Sequence, residues 1–267
     1  MRYRLLCLPL MLAAFAGCVG AERAVEAPPR WDEGALRVHL RQLVEPIAVA
    51  DSARAARRTL YAARRLEVAG LMPARDPSFL VGMGTPQRSP VASSAVDPAR
   101  SHVLGYVTGR HPSYYDELVL VAADLDRPGA AAALEVARRL ADEARDTQVP
   151  ERTVLFALWA PPRTGALGLR DYLANPTWAL DGVTRVLLVT TEPSTAAESR
   201  QLLEARGIAV DVVAVSDQTV IAAGTQPEVV QAVVLANTTL LTDVLDRRLR
   251  AAATAEDSTA AGLVRVE

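Results

Sequence analysis

The stretch "ELVLVAADLDRPGAAAALEVARRLADE", residues 117–143, decides the fold. Leu118 to Ala123 is apolar at every position, so it does not alternate as a half-exposed strand would. A short unbroken apolar run bounded by turn residues is the pattern of a strand covered on both faces. It ends in Asp124-Leu125-Asp126, and after Arg127-Pro128 an alanine-rich helical pattern begins at Gly129 and runs to Ala144. Strand, tight turn and helix in this order are the unit of a parallel α/β sheet. Two carboxylates at the carboxyl end of such a strand stand where α/β proteins keep their chemistry.

The same alternation extends in both directions. Strands are predicted at 103–108, 153–159, 183–190 and 208–215, and helices at 165–173 and 194–206, with 227–250 as one long helix or two. "TVLFALW" and "RVLLVTT" repeat the all-apolar pattern of buried strands. Upstream, Leu36, Leu40, Leu43 and Ile47 recur at helical steps, and a second helix runs from an Asp51-Ser52 cap to Val68, closing at Gly70. Its arginines, 54, 57, 58, 64 and 65, mark a solvated face, with a basic membrane-facing stripe as the alternative. Residues 72–101 are rich in Pro, Ser, Gly and Arg and read as a long loop or a strand-and-loop passage. The fold class is therefore α/β, a three-layer α/β/α sandwich with a mostly parallel central sheet. A single domain is expected over residues 31–250, with a mobile tail over 251–267.

Half of the 267 residues are apolar, enough for a large core, and the formal charge of −2 provides no field for nucleic acid. All 29 basic residues are arginine, scattered along the chain, which points to coding bias rather than a nucleic-acid surface. At the amino terminus, Arg2 and Arg4 precede the apolar run Leu5 to Phe15, the length of a signal peptide. It ends in "FAGC", and the small residues before Cys18 resemble the lipobox of bacterial lipoproteins, with Phe15 in place of the usual leucine. Residues 1–18 are thus read as a lipoprotein signal and 19–30 as a tether. Cys18 becomes the lipidation site; simple secretion is the alternative. Cys7 leaves with the signal, so the mature chain has no free thiol and no disulfide. Val19 after the lipidated cysteine resembles lipoproteins sent to an outer membrane.

"HVLGYVTGRHPSYYDELVLVAADLD", "GAAAALEVARRL" and "RTVLFALWAPPRTGALGLRDYL" together resemble the di-zinc aminopeptidases, metallopeptidase family 28, with the glutaminyl cyclases as relatives. The resemblance covers roughly residues 101–240. It rests on framework positions: Gly105, Gly109, Asp116, Glu117, Gly129, Leu134, Glu135, Ala137, Trp159, Gly165, Gly168 and Tyr172. It implies an α/β/α sandwich and two zinc ions that activate a water, held by imidazoles and carboxylates, with a glutamate as base.

The residues at the matching positions depart from that set. Asp124 stands where the family has histidine, Asp126 has no histidine left to orient, and the loop with the bridging aspartate is absent between Arg127 and Gly129. Pro162 and Arg163 replace the paired glutamates; proline accepts no proton, and arginine puts a fixed positive charge where a dication would lie. Thr190 and Thr191 stand where a carboxylate ligand belongs, with Glu192 out of register, and Ser216-Asp217-Gln218 ends in glutamine instead of histidine. The chain has three histidines, His39, His102 and His111, all outside these positions, with His111 in a surface turn and His102 ahead of a strand.

The reading is a non-catalytic, lipid-anchored member of the fold that serves binding or scaffolding, needs no cofactor, and takes a protein or peptide at the former cleft. Arg163 is the group to test there, as a partner for a carboxylate. One alternative is a hydrolase with a rearranged site, in which Asp124, Asp126, Glu192 and Asp217 gather round a hard cation. The other is an inactive partner subunit of an active relative. No Gly-x-Ser-x-Gly elbow and no phosphate-binding glycine motif is present.

Overall fold

The structure, a computed structural model, describes residues 31–44, 52–73, 80–81, 102–114, 117–146, 148–159, 167–174, 180–191, 196–215 and 226–254. Two helices come first, α1 (Glu33–Leu43) and α2 (Ser52–Val68), then two short strands, β1 (Met72–Pro73) and β2 (Leu80–Val81). There follow β3 (Val103–Val107), β4 (Leu118–Asp124), α3 (Pro128–Arg145), β5 (Thr153–Trp159) and α4 (Leu167–Ala174). The chain continues through β6 (Val183–Val189), α5 (Ala196–Glu204), β7 (Ala209–Val213) and α6 (Pro227–Ala253). Every element belongs to one compact unit that begins at Glu33.

The sheet has the order β1-β3-β5-β4-β6-β7, with β2 sharing the β1 edge of β3. β5, β4, β6 and β7 are mutually parallel, whereas β3 is antiparallel to β5. The parallel centre explains the all-apolar runs: β5 is buried at every residue and β4 at all but Asp124. Alternate side chains serve alternate faces. Leu104, Leu118, Leu120, Ala122, Leu155, Ala157 and Leu188 pack with Leu169 and Leu173 of α4 and Leu203 of α5. α2, α3 and α6 cover the other face, and α1 lies on α3, α6 and α2.

α3 is the inner helix of that second layer. Gly129 through Ala137 is buried without interruption, including Glu135, because α1, α2 and α6 close over the side turned away from the sheet. A helix apolar on all sides belongs in such a place, and alanines allow the close approach. Its first turn rests on β6: a Cβ on Gly129 would lie 2.7 Å from the Val189 carbonyl oxygen. Pro128 at the first helical turn needs no N–H partner.

α6 is one unbroken helix and continues past the predicted end at Arg250, to Ala253. It is long and apolar enough to cross a bilayer, but Leu235, Leu241, Leu245 and Leu249 are packed into the domain. Its carboxyl end is held by Arg152, whose main-chain N–H donates to the Ala253 carbonyl (3.2 Å) and whose Nη1 donates to that of Ala252 (3.1 Å). Arg152 is buried, donates from Nε to Glu117 (2.6 Å), and lies over the Tyr114 ring. A guanidinium at a helix carboxyl terminus also meets the negative end of the dipole. On α2, four of the five arginines are exposed as read from the sequence, but Arg58 is buried. The tail is expected from residue 251, but 251–253 are the last turn of α6, with Ala252 and Ala253 buried. Ile47 and the residues from 255 onward lie outside the described residues.

Candidate functional site

The parallel strands end in register, which builds a rim. Asp124 at the end of β4 pairs with Trp159 at the end of β5, and Ala123 pairs with Val189 of β6. The ladder continues beyond both strands, with Leu125 N–H donating to the Trp159 carbonyl (2.8 Å) and Thr190 N–H to that of Val213 (3.0 Å). Asp124, Asp126, Thr190 and Thr191 therefore share one end of the sheet, as the sequence reading placed them. Cys18, Pro162, Arg163, Glu192, Asp217 and Gln218 lie outside the described residues.

Burial dominates the chemistry of Asp124. Desolvation pushes its carboxyl up, the charge of Asp126 adds to the effect, and Arg127 opposes it, leaving a pKa of about 6. Asp126 is half-buried, its Oδ1 has no hydrogen-bond partner among the described residues, and Arg127 Nε stands 4.0 Å from that oxygen. The indole N–H of Trp159, 3% exposed, is likewise without a described hydrogen-bond acceptor. Two buried polar atoms without described partners, at the ends of the neighbouring strands β4 and β5, invite a water or a polar ligand.

His102 belongs to this rim, which the sequence reading did not foresee. Because β3 runs antiparallel to β5, with Val103 opposite Leu158, the residue before β3 comes to the end of the sheet where β5 finishes. His102 is 3% exposed and meets Trp159 edge-on, with ring centroids 5.5 Å apart at 86°. Trp159 in turn contacts Tyr172 of α4 at 5.1 Å. The other histidines are elsewhere: His39 is buried against Tyr61, with Nδ1 2.7 Å from the hydroxyl, and His111 is exposed in the turn after β3.

The described part of this rim does not by itself supply the donors of the di-zinc centre that the resemblance implies. Among the described residues no three His, Cys, Asp or Glu side chains come together as a metal-holding group. The described rim offers two carboxylates, two threonine hydroxyls and one imidazole, His102, whose ring is packed edge-on against Trp159, fewer nitrogen donors than a pair of zinc ions ordinarily takes. What these groups can do is donate and accept hydrogen bonds, and exchange a proton at Asp124 near pH 6.

No protein-family description matches the chain, and no curated protein does. Among solved structures, the chain is similar to the Bacillus subtilis YXEP protein, a dinuclear metal binding peptidase from the M20 family: 15% identity, TM-score 0.40, over 61% of this chain and 45% of that one. This chain thus spans less than half the length of that protein. It is also similar to LapB from Legionella pneumophila (11% identity, TM-score 0.41, 82% of this chain and 72% of that one). A third is glutaminyl cyclase from Porphyromonas gingivalis (11%, 0.38, 82% and 99%). These are distant likenesses, across which activity, metal and substrate do not transfer.

Proposed function

We propose that the chain is a non-catalytic protein on a peptidase-type α/β/α fold, held in the cell envelope by lipid on Cys18 and serving binding or scaffolding. The observation that carries this reading is the content of the rim. Where metallopeptidase chemistry needs a set of metal donors and a base, the described side chains are Asp124, Asp126, Thr190 and Thr191, with a single imidazole, His102, packed against Trp159. The positions for the base and the last ligand hold Pro162 and Gln218 in the sequence. The unsatisfied Asp126 Oδ1 and Trp159 N–H suit a polar ligand such as a peptide chain end. The lipidated cysteine and an outer-membrane address follow from "FAGC" and Val19.

Metal content tests the reading. After incubation with excess zinc and removal of unbound ion, the purified chain is expected to retain none. About two zinc ions per chain, the stoichiometry of a two-metal site, would falsify it and direct effort to an aminopeptidase assay.

A second reading, a hydrolase with a rearranged site, is favoured by one feature: Asp124, with a pKa of about 6, shares the rim with buried His102. It requires hydrolysis of aminoacyl amides that disappears in Asp124→Asn, and absence of turnover with calcium or magnesium present excludes it.

A further inference from the structure

α1, α2 and α3 leave a cavity of about 260 Å³ between them, lined by His39, Arg65, Val68, Arg138, Asp142 and Arg145 among others. It lies along the carboxyl-terminal half of α3, whereas the strand-end rim lies at the amino terminus of that helix. The two sites are therefore independent.

The cavity wall is charged and held in place. Glu135, fully buried, accepts from Arg138 Nη2 (2.6 Å) and Nε (3.1 Å), and Asp142 accepts from Arg138 Nη1 (2.7 Å). Arg145 also donates to Asp142 and places Nη1 on the Ala69 carbonyl at the end of α2 (3.2 Å). That approach depends on Gly70, whose φ of +84° closes α2 and whose missing Cβ would stand 3.0 Å from Arg145 Nη1. On the opposite wall the Tyr61 hydroxyl accepts from Arg65 Nε (3.2 Å) and bonds His39 Nδ1 (2.7 Å). The Arg65 guanidinium also lies over the Tyr61 ring, 5.2 Å from its centroid.

The charges do not cancel. The lining carries three guanidiniums, Arg65, Arg138 and Arg145, and one carboxylate, Asp142; counting also the buried Glu135, which pairs with Arg138 and stands 4.0 Å from His39 Nε2, at least one positive charge remains. That surplus resides on Arg65, which has a tyrosine and no carboxylate as its described partner. An exposed arginine alone would signify little. Here a tyrosine fixes it at the mouth of a recess whose other wall carries two further guanidiniums. Planar forks held in advance of binding are suited to carboxylate and phosphate oxygens. The volume is below the roughly 300 Å³ at which pockets for drug-sized ligands begin, so the ligand has few heavy atoms.

We propose that this cavity binds a small oxyanion, a phosphate or carboxylate group on a short carrier, with Arg65 as its anchoring cation and Arg138 and Arg145 forming the opposing wall. The oxyanion comes from a free solute or from an anionic lipid headgroup, and the experiment distinguishes them. The chain has three histidines, so the ring signals of His39 can be followed in the proton NMR spectrum of the intact protein. Inorganic phosphate, acetate and vesicles containing phosphatidylglycerol are the probes. The His39 signals are expected to shift and saturate with phosphate or acetate on the order of millimolar, or to respond to the vesicles. The probe that moves them names the source. Arg65→Gln should weaken the response at least about tenfold, and Arg65→Lys should keep part of it. Arg65 is exposed, so neither variant threatens the fold. The proposal is overturned if no probe moves the His39 signals, or if the response persists in Arg65→Gln. Neither result bears on the zinc measurement.

Discussion

Asp124 illustrates how a single side chain reports on its surroundings. Its carboxyl titrates near 6 against an ordinary 3.8, so the folded chain holds a proton that the unfolded chain releases. A raised carboxylate pKa makes stability fall as pH rises from about 4 to about 6, after which the loss is complete. Asp124→Asn removes this dependence. The variant is expected to match the parent at pH 4 and to exceed it at pH 7 by roughly 1–3 kcal/mol, read from urea unfolding at both pH values. A constant difference between them would mean that Asp124 is better solvated than its place at the end of β4 implies. At this scale the sequence was informative about type and less so about company. Asp124, Asp126, Thr190 and Thr191 were legible because strand ends follow from the apolar runs. His102 was not, because the period of a strand is the same whether it runs up or down the sheet, and its position turns on the antiparallel β3.

Elements fit together here through the absence of side chains as much as through their presence. α3 approaches β6 closely because Gly129 faces the Val189 carbonyl, where a Cβ would lie 2.7 Å from the oxygen. Gly129→Ala should therefore cost about 1–3 kcal/mol, although alanine is the better helix former, because the first turn must lift off the sheet. Thermal unfolding checks this, and an unchanged or higher Tm would show that α3 slides freely on β6. Most elements were readable from period and turn residues, since strong apolar patterns survive the tertiary context. The ends were less so: α6 runs on to Ala253 because Arg152 captures its last carbonyls, a contact made 100 residues away in sequence. The charged cavity divides in the same way. Glu135, Arg138, Asp142 and Arg145 are visible as helical neighbours at three- and four-residue spacing in α3, while the closure by His39, Tyr61 and Arg65 depends on how three helices meet.

For the whole molecule, Arg152 is the point where distant parts of the chain are joined. It precedes β5, bonds Glu117 ahead of β4, and holds the end of α6. Arg152→Met keeps the volume of the side chain and the main-chain bond to Ala253, but leaves Glu117 and the Ala252 carbonyl without their side-chain donor. Breaking one side of a buried charged network of this kind costs about 3–5 kcal/mol, much of the 5–15 kcal/mol by which a domain is stable. The variant is expected to unfold at markedly lower urea concentration, with α6 amides losing hydrogen-exchange protection first. A loss spread evenly over the domain would mean that α6 is held chiefly by its leucines.

The same clamp sets an order in time. A chain emerging from its amino terminus presents Arg152 long before Ala252 and Ala253 exist, so the guanidinium destined for the interior has no carbonyls to receive it. Folding as a unit must then wait for the last helix to be made. On the route across a membrane proposed above, that delay keeps the nascent chain open and threadable until translation is almost finished.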